Sequence, residues 1–463
     1  MSEKNITVAL GEWASQSKSA WSNGALERAR HAMLDGFSSM VAGTGDQGGA
    51  RMRAAVIPFG QGSATIIGTS RTAPAIWAAL VNGYTAHVVE MDDNFHPGLG
   101  HATSVIGPAL WALGEEIDAS GSAILDAYIV GTEVMARLGL GIGIAHTAKG
   151  WHGTSTIGSI AAAAACGRLL ELDEYAMTNA ISIATSLAGG TKGQFGTMTK
   201  ALHCGLAAKN GILAARLAQR GIGGSHTIIE GEMGFGALFG GDTLPDWTVE
   251  LAQDGAPLAI EKWGLAVKRY PCCGSSHRIV DSVLILREQY GFAAADVAQV
   301  EALVGYGNMI NLPFDQPQNE MEARFSMQYS VAVALLYGHL GLSDFTPGAV
   351  RRTEVRALFP LTTMRAHHRG VDGADPATRL PHTVKIQMKD GRILEHSTKW
   401  AKGTIHNPFD DADRTTKFFD CCSKFLPEEE MPIVKDMLDR FELLPNIKDM
   451  MMHLRFEVGS ASE

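Results

Sequence analysis

The sequence predicts a mainly α protein: a large all-helical domain, residues 1–268 and 401–463, interrupted by a smaller α+β domain over residues 269–400. Three observations carry that expectation. Up to about Arg220, apolar residues recur at three- and four-residue spacing. Past Pro271 they alternate with polar residues and become β-branched. After Asn407-Pro408 the helical spacing returns, so the tail is expected to pack back on the first domain and make the second an insertion.

Taken in chain order, helices are predicted over Leu26 to Val41, Ala73 to Val88, Ser122 to Leu138 and Ile157 to Leu170. The run Ser159 to Cys166 is alanine-rich on every side, which suits a helix buried among helices where side chains must be small. Beyond Pro271, Val297 to Val304 and His382 to Met388 read as strands with one buried face, and Asp390-Gly391 before Ile393 to His396 is a hairpin signal. Helices are interleaved at Arg278 to Tyr290 and Phe325 to Tyr337, and the tail is helical through Lys417 to Phe425 and Met431 to Leu443.

Composition narrows the function. The chain has 463 residues, enough for two or three domains, and its 46% hydrophobic and 19% charged content is that of an ordinary globular protein. A net charge of −10 argues against broad binding to nucleic acid or an anionic membrane, since either would be repelled. A small acidic ligand requires lysine and histidine gathered in one cleft. The amino terminus lacks the apolar core of a signal peptide, and no apolar stretch approaches the roughly 20 residues of a membrane span, so a cytoplasmic location is expected. The six cysteines, Cys166, Cys204 and the adjacent pairs Cys272-Cys273 and Cys421-Cys422, show no Cys-x-x-Cys zinc spacing and are expected to be reduced thiols.

Four polar runs interrupt small, apolar surroundings. Lys268-Arg-Tyr-Pro-Cys-Cys-Gly-Ser-Ser-His277 places a lysine and a histidine at the ends of a Pro-Cys-Cys-Gly turn, too irregular for a helix, where a sharp bend aims both at one point. Glu90-Met-Asp-Asp-Asn-Phe-His-Pro-Gly-Leu-Gly-His101 carries three carboxylates and two histidines, suited to orienting a histidine or to acid/base work; the bland alternative is a capping loop with surface histidines. Metal is a rival reading, but no His-x-x-x-His or Glu-x-x-His pair shares a helical face, so no metal site is expected.

Gly150-Trp-His-Gly-Thr-Ser-Thr156 precedes the alanine-rich helix, with Thr154 or Ser155 near its N-cap and His152 just outside, where free amides attract anions; packing beside Trp151 is the plainer account of that histidine. Gly193 to Gly211 puts Lys200 and His203 three apart, neighbours on a helix, with a solvated face as the plainer account.

With these segments assembled, the chain resembles the MmgE/PrpD family, which includes 2-methylcitrate dehydratase, cis-aconitate decarboxylase and iminodisuccinate epimerase. The resemblance runs nearly end to end, through Asp-Asp-x-x-His-Pro with a following histidine, Gly-Trp-His-x-Thr-Ser, Gly-Thr-x-x-Lys-x-x-His-x-Gly-x-Ala-Ala and Lys-x-Tyr-Pro-Cys-Cys-x-x-x-His. Arg324-Phe-Ser-Met-Gln-Tyr329 and Lys402-Gly-x-x-x-Asn407-Pro408 complete it. It implies a homodimer whose subunit has a helical domain and an α+β lid, with the active site between them and no metal or organic cofactor. His101, His152, Lys200, Lys268 and His277 match the family's active-site positions, and Tyr329 matches one that also lines the site.

The implied chemistry is cofactor-free lyase action beside a carboxylate of a small di- or tricarboxylate such as 2-methylcitrate or cis-aconitate, with dehydration preferred to decarboxylation. Epimerisation of a dicarboxylate such as iminodisuccinate, or a catalytically silent carboxylate-binding dimer, are the alternatives. Charge builds on an already negative group, so a cationic clamp is needed, expected from Lys200, Lys268 and His152. His101 and His277 are the expected acid and base, with Lys268 as a second base if its pKa is depressed. Glu90, Asp93, Asn94, His96, Thr154, His203 and Tyr329 complete the expected substrate-binding set. The chain departs from the pattern at Glu90, where cis-aconitate decarboxylases carry aspartate, and at Asn94, where they carry threonine. The interval from His96 to His101 is one residue longer, and Thr147 follows His146 where many relatives have tyrosine.

Overall fold

The computed structural model describes residues 5–241, 245–247, 256–367 and 379–457. The predicted helices form, mostly extended by a few residues: Asn23–Ala42, Ala75–Val88, Gly121–Ile142 and Gly153–Leu169. Along Gly153–Leu169 all residues but Arg168 are buried, as its alanine-rich surface requires. A further long helix, Met198–Gln219, packs against both Gly153–Leu169 and Ala75–Val88.

One close approach positions the site. A Cβ placed on Gly83 would lie 2.9 Å from the Cα of Gly205, and one on Gly205 only 2.1 Å from the carbonyl oxygen of Leu80. Helices Ala75–Val88 and Met198–Gln219 therefore touch backbone to backbone where both lack side chains. His87 on the first helix, and Lys200 and His203 on the second, flank this crossing.

The four-stranded sheet runs in the order Thr362–Ala366, Val297–Val304, His382–Met388, Ile393–Thr398. The first pair is parallel, with Val300 opposite Thr362, and the other two are antiparallel, the last of them joined at the predicted Asp390-Gly391 turn, where Gly391 takes φ 90°. Alternate residues Val300, Ala302 and Val304, with Val384 and Ile386, are buried beneath helices Gly274–Tyr290 and Met327–Tyr337.

Buried apolar side chains form two clusters. One holds residues from Ile6 to Ile260 together with Met321 and the tail from Phe418 to Leu454; the other runs from Tyr270 to Leu394. All six cysteines are free thiols. Among the described residues no helix is long and apolar enough to cross a membrane.

Several elements differ from expectation. Helix Gly274–Tyr290 begins inside the Lys268 to His277 run, so irregular backbone ends at Cys273, the N-cap. Helix Gly153–Leu169 begins early enough that His152 itself is the N-cap residue and Thr154 and Ser155 lie within the first turn. The tail helices are Asp411–Cys422 and Met431–Asp439, the latter followed by a 3₁₀ turn, Phe441–Leu443. Strand Thr362–Ala366 was not expected, because Thr-Thr-Met-Arg-Ala lacks a clean alternation and owes its conformation to pairing with its neighbour.

Candidate active site

The site begins where helix Ala75–Val88 stops. Glu90 takes a left-handed conformation, φ 56°, uncommon for a residue with a side chain and a form of strain that gathers at functional sites. Two buried cations pin the chain around it: Arg324 donates to the carbonyls of Val89 and Pro271, each at 2.7 Å, and Lys417 to that of Met91 at 2.7 Å. The reversal lets Asp92 meet His87, whose Nδ1 lies 2.7 Å from Asp92 Oδ2. A bridge between Asn94 and Ala266 then ties this loop to the segment leading into Lys268.

Glu90 is the electrostatic centre. Its Oε1 accepts from Lys200 Nζ and its Oε2 from Lys268 Nζ at 2.9 Å, while Lys268 also lies 3.4 Å from Asp92 Oδ1. All four side chains are buried. Lys200 is held between the rings of Phe195 and Phe325, 5.4 and 5.0 Å from their centroids. Burial alone would raise the carboxyl of Glu90, but the two lysines overcome it and hold it well below the usual range; His101, His87 and Lys268 do the same for Asp92. Burial works against the Lys268 ammonium, yet Glu90 and Asp92 raise its pKa above that of a free lysine. The expectation that Lys268 could become neutral is thereby corrected.

The histidines complete the arrangement. His101 Nδ1 lies 2.6 Å from the carbonyl oxygen of Asp93 and 3.3 Å from Asp92 Oδ2. A carbonyl only accepts, so Nδ1 carries the hydrogen and Nε2 presents its lone pair. His152 Nδ1 pairs with His203 Nδ1 at 2.9 Å, so one ring donates to the other and Nε2 of His152 is turned away from that bond. Ring centroids of His101 and His152 are 6.5 Å apart, with His87 4.5 and 6.3 Å from them. Burial drives the pKa values of His101 and His152 well below that of free imidazole, and that of His203 to about 4. The resulting site sets two carboxylates and two lysines beside His101, His152 and His203, whose burial favours the neutral ring: a buried place where protons can be exchanged at fixed positions.

The remaining predicted residues divide. Thr154 is buried and accepts the backbone N–H of His101, so it positions that histidine. Asn94 is half-buried and His96 is exposed on a 3₁₀ turn, His96–Gly98. Asp93 turns away from the histidines: its carboxylate accepts from Thr103, and burial raises its pKa to about 7. Asp92 occupies the place expected of Asp93. Lys200 and His203 are buried rather than on a solvated face.

His277 bonds through Nε2 to the carbonyl of Cys272 at 3.2 Å and packs on Tyr270, so that nitrogen is held by its own turn, while burial and the nearby Lys268 ammonium lower its pKa to about 3. Tyr329 lies in the smaller cluster, donating to the carbonyl of Asp344 and packing on Phe345 and Phe359. It does not line this site.

Sequence reasoning missed His87, counted Asp92 only as one of three carboxylates suited to orienting a histidine, and gave Arg324, Phe195 and Phe325 no role in the site. A histidine in an otherwise apolar helix, followed by carboxylates three and five residues on, was the available signal for the first two. The spacing argument against a metal site also overlooked His87: among the described residues His87, His101 and His152 each bring a ring nitrogen within 4.8 Å of the others.

The chain is similar to known proteins over most of its length. The MmgE/PrpD N-terminal domain profile matches residues 8–248, and the C-terminal domain profile matches residues 270–440. The cis-aconitate decarboxylase of Homo sapiens is 30% identical over 389 residues, covering 79% of this chain and 77% of that protein. That of Mus musculus is 29% identical, with coverage of 80% and 76%. The cis-aconitate decarboxylase-like protein oryM of Aspergillus oryzae is 26% identical and covers 97% of each chain.

Proposed function

The chain belongs to the MmgE/PrpD family, and from that premise we propose that it is a lyase removing carbon dioxide from a small unsaturated tricarboxylate such as cis-aconitate. The observation that carries the reading is the pairing of Lys200 and Lys268 on Glu90 beside His101 and His152. Decarboxylation stands ahead of dehydration because the relatives bear that activity in their names.

A substrate carboxylate competes with Glu90 for the two ammonium groups, which hold it next to the histidines. The C–CO₂ bond then breaks, carbon dioxide departs, and the bond's electron pair stays on the substrate as a carbanion delocalised toward a remaining carboxylate. Lys200 and Lys268 oppose that developing charge, at about 3 to 4 kcal/mol of barrier for a well-placed donor. A bound polyanion favours protonated imidazole, so His101 or His152 takes up a proton on binding and returns it to carbon. Each already has Nδ1 held by the protein, which aims Nε2.

Two neutral imidazoles with centroids 6.5 Å apart also suit proton removal from one face of a carbon and return to the other, which makes epimerisation the second reading. A homodimer belongs to the same proposal, checked by sedimentation equilibrium.

Proton NMR in deuterium oxide with cis-aconitate, citrate, 2-methylcitrate and iminodisuccinate separates the outcomes. Loss of a carbon with one deuteron incorporated is expected for cis-aconitate. A new alkene from citrate or 2-methylcitrate would move the assignment to dehydration, and exchange without other change would move it to epimerisation. Neither turnover nor exchange with any of the four would discard the lyase.

A further inference from the structure

We propose that His87, His101 and His152 form a site for one divalent transition ion of the zinc class, and that its occupancy blocks the proton exchange assigned above to His101 and His152. Binding needs no substrate, so this half stands apart from the proposed reaction; the inhibitory half rests on it.

The first support is the convergence of three buried imidazoles, one nitrogen of each within 4.8 Å of the others. The second is an orphan: Nε2 of His87 is buried with no hydrogen-bond partner, 3.6 Å from Oε1 of Glu90. An unpartnered ring nitrogen in a dry site carries a desolvation cost that a coordinated cation removes.

The third support is the outer shell. His87 gives Nδ1 to Asp92, His101 gives Nδ1 to the carbonyl of Asp93, and His152 shares Nδ1 with His203. A metal-ligating histidine characteristically has its other ring nitrogen held by a carboxylate, carbonyl or similar group, which fixes its orientation and raises its basicity. His87 and His101 are held in that way, and so is His152 in the tautomer that donates from Nδ1 to His203, which leaves Nε2 of each ring to serve as the ligand atom.

Zinc–nitrogen bonds of about 2.0 to 2.1 Å around a tetrahedral ion place ligand atoms roughly 3.3 Å apart, so the rings close by an ångström or so on binding. Three neutral donors leave the fourth position open to Glu90, hydroxide or a ligand carboxylate.

Charge sets a limit. Glu90 and Asp92 are already balanced by Lys200 and Lys268, so a dication adds uncompensated positive charge unless an anion accompanies it. The site therefore favours a soft-to-borderline ion that imidazole holds strongly over magnesium or calcium, which demand oxygen ligands. Once bound, the ion occupies the lone pairs that would accept the proton, and turnover stops.

The test uses the full chain freed of metal by chelation. Titration with CoCl₂ should give one ion per chain with the intense visible absorption of a tetrahedral nitrogen-rich site, displaced by ZnCl₂ and absent with MgCl₂. His87→Asn should weaken binding by more than the roughly 10- to 100-fold that loss of an outer-shell partner brings. His226→Asn, which alters a histidine bonded to Asn179 in another part of the fold, should leave binding unchanged. X-ray absorption on the zinc-loaded unmodified chain needs no variant: three imidazole nitrogens are expected, and a sulfur or all-oxygen shell overturns the site. Failure of cobalt to bind, or equal binding by His87→Asn, overturns it as well. Zinc bound through the three histidines with turnover undiminished overturns the inhibitory role.

Discussion

The ammonium of Lys268 lies 2.9 Å from Oε2 of Glu90, a contact spanning 178 positions of sequence, while the other oxygen of the same carboxylate accepts from Lys200. One buried anion thus holds two buried cations in place. Glu90→Gln keeps the shape but leaves Lys268 with Asp92 alone and Lys200 with no carboxylate partner, and removing one partner of such a buried set costs about 3 to 5 kcal/mol. Chemical denaturation should show that loss. Glu90→Asp, one methylene shorter, cannot grip both lysines from the same backbone position. It should lose less stability and bind cis-aconitate more tightly by calorimetry, because a lysine is released to the substrate; weaker binding would contradict the clamp.

His101 offers a cleaner test of proton exchange. The amide of His101→Asn can still donate to the carbonyl that Nδ1 now reaches, so the fold is expected to hold while the lone pair at Nε2 is lost. A fall in kcat of about 10² to 10⁴ with KM changed only a few-fold is the expected outcome. A KM effect alone would make His101 a binding group.

Lys200→Met preserves the stem between Phe195 and Phe325 and removes only the charge. Glu90 keeps Lys268 as a partner, so folding should survive. The barrier should rise by about 3 to 4 kcal/mol, a loss of roughly 10² to 10³ in kcat. Equal activity in the variant would remove Lys200 from the chemistry.

Legibility in the chain followed periodicity. The helices Asn23–Ala42, Ala75–Val88 and Gly121–Ile142 and the strand Val297–Val304 announce themselves because their apolar residues recur at helical spacing or alternate with polar ones. Lys200, Lys268, His101 and His152 were legible as polar groups in small, apolar surroundings. The pairing of His87 with Asp92 was not, because it depends on Glu90 adopting a left-handed conformation, which the spacing of the histidine and the carboxylates does not itself encode. Helix Met327–Tyr337 is apolar almost throughout, so its sequence has no face from which the direction of Tyr329 could be read.

Tyr329 accordingly supports the smaller core. Tyr329→Phe removes a single buried hydrogen bond, that to the carbonyl of Asp344, at about 0.5 to 1.5 kcal/mol, plus the cost of leaving that carbonyl without the hydroxyl. The thermal midpoint should drop by a few degrees while kcat stays within two-fold. A large kcat loss at unchanged stability would return Tyr329 to the active site.

Acid should destabilise the fold through histidines buried in neutral form. Burial lowers the pKa of His277 from 6.5 to about 3, with Lys268 adding to the effect, and it lowers that of His382 well below 6.5. An unfolded chain protonates these rings near pH 6.5, whereas the folded one leaves His277 neutral until about pH 3. Between those values the unfolded state binds more protons, so stability falls as pH falls, by up to about 1.4 kcal/mol per pH unit for each such histidine. Asp93 acts in the opposite sense. Its folded pKa of about 7 means that the folded state holds the extra proton between the ordinary carboxylate range and neutrality, and stability there rises as pH falls. The contribution of one ring is isolated by comparing His277→Gln with the parent in urea at pH 6.5, 5.5 and 4.5. The variant should show a flatter dependence, less stable than the parent near neutrality where the bond to Cys272 is lost, with the difference narrowing as pH falls. Parallel curves for the two proteins would mean that His277 is protonated in the folded state and that its burial does not hold it neutral.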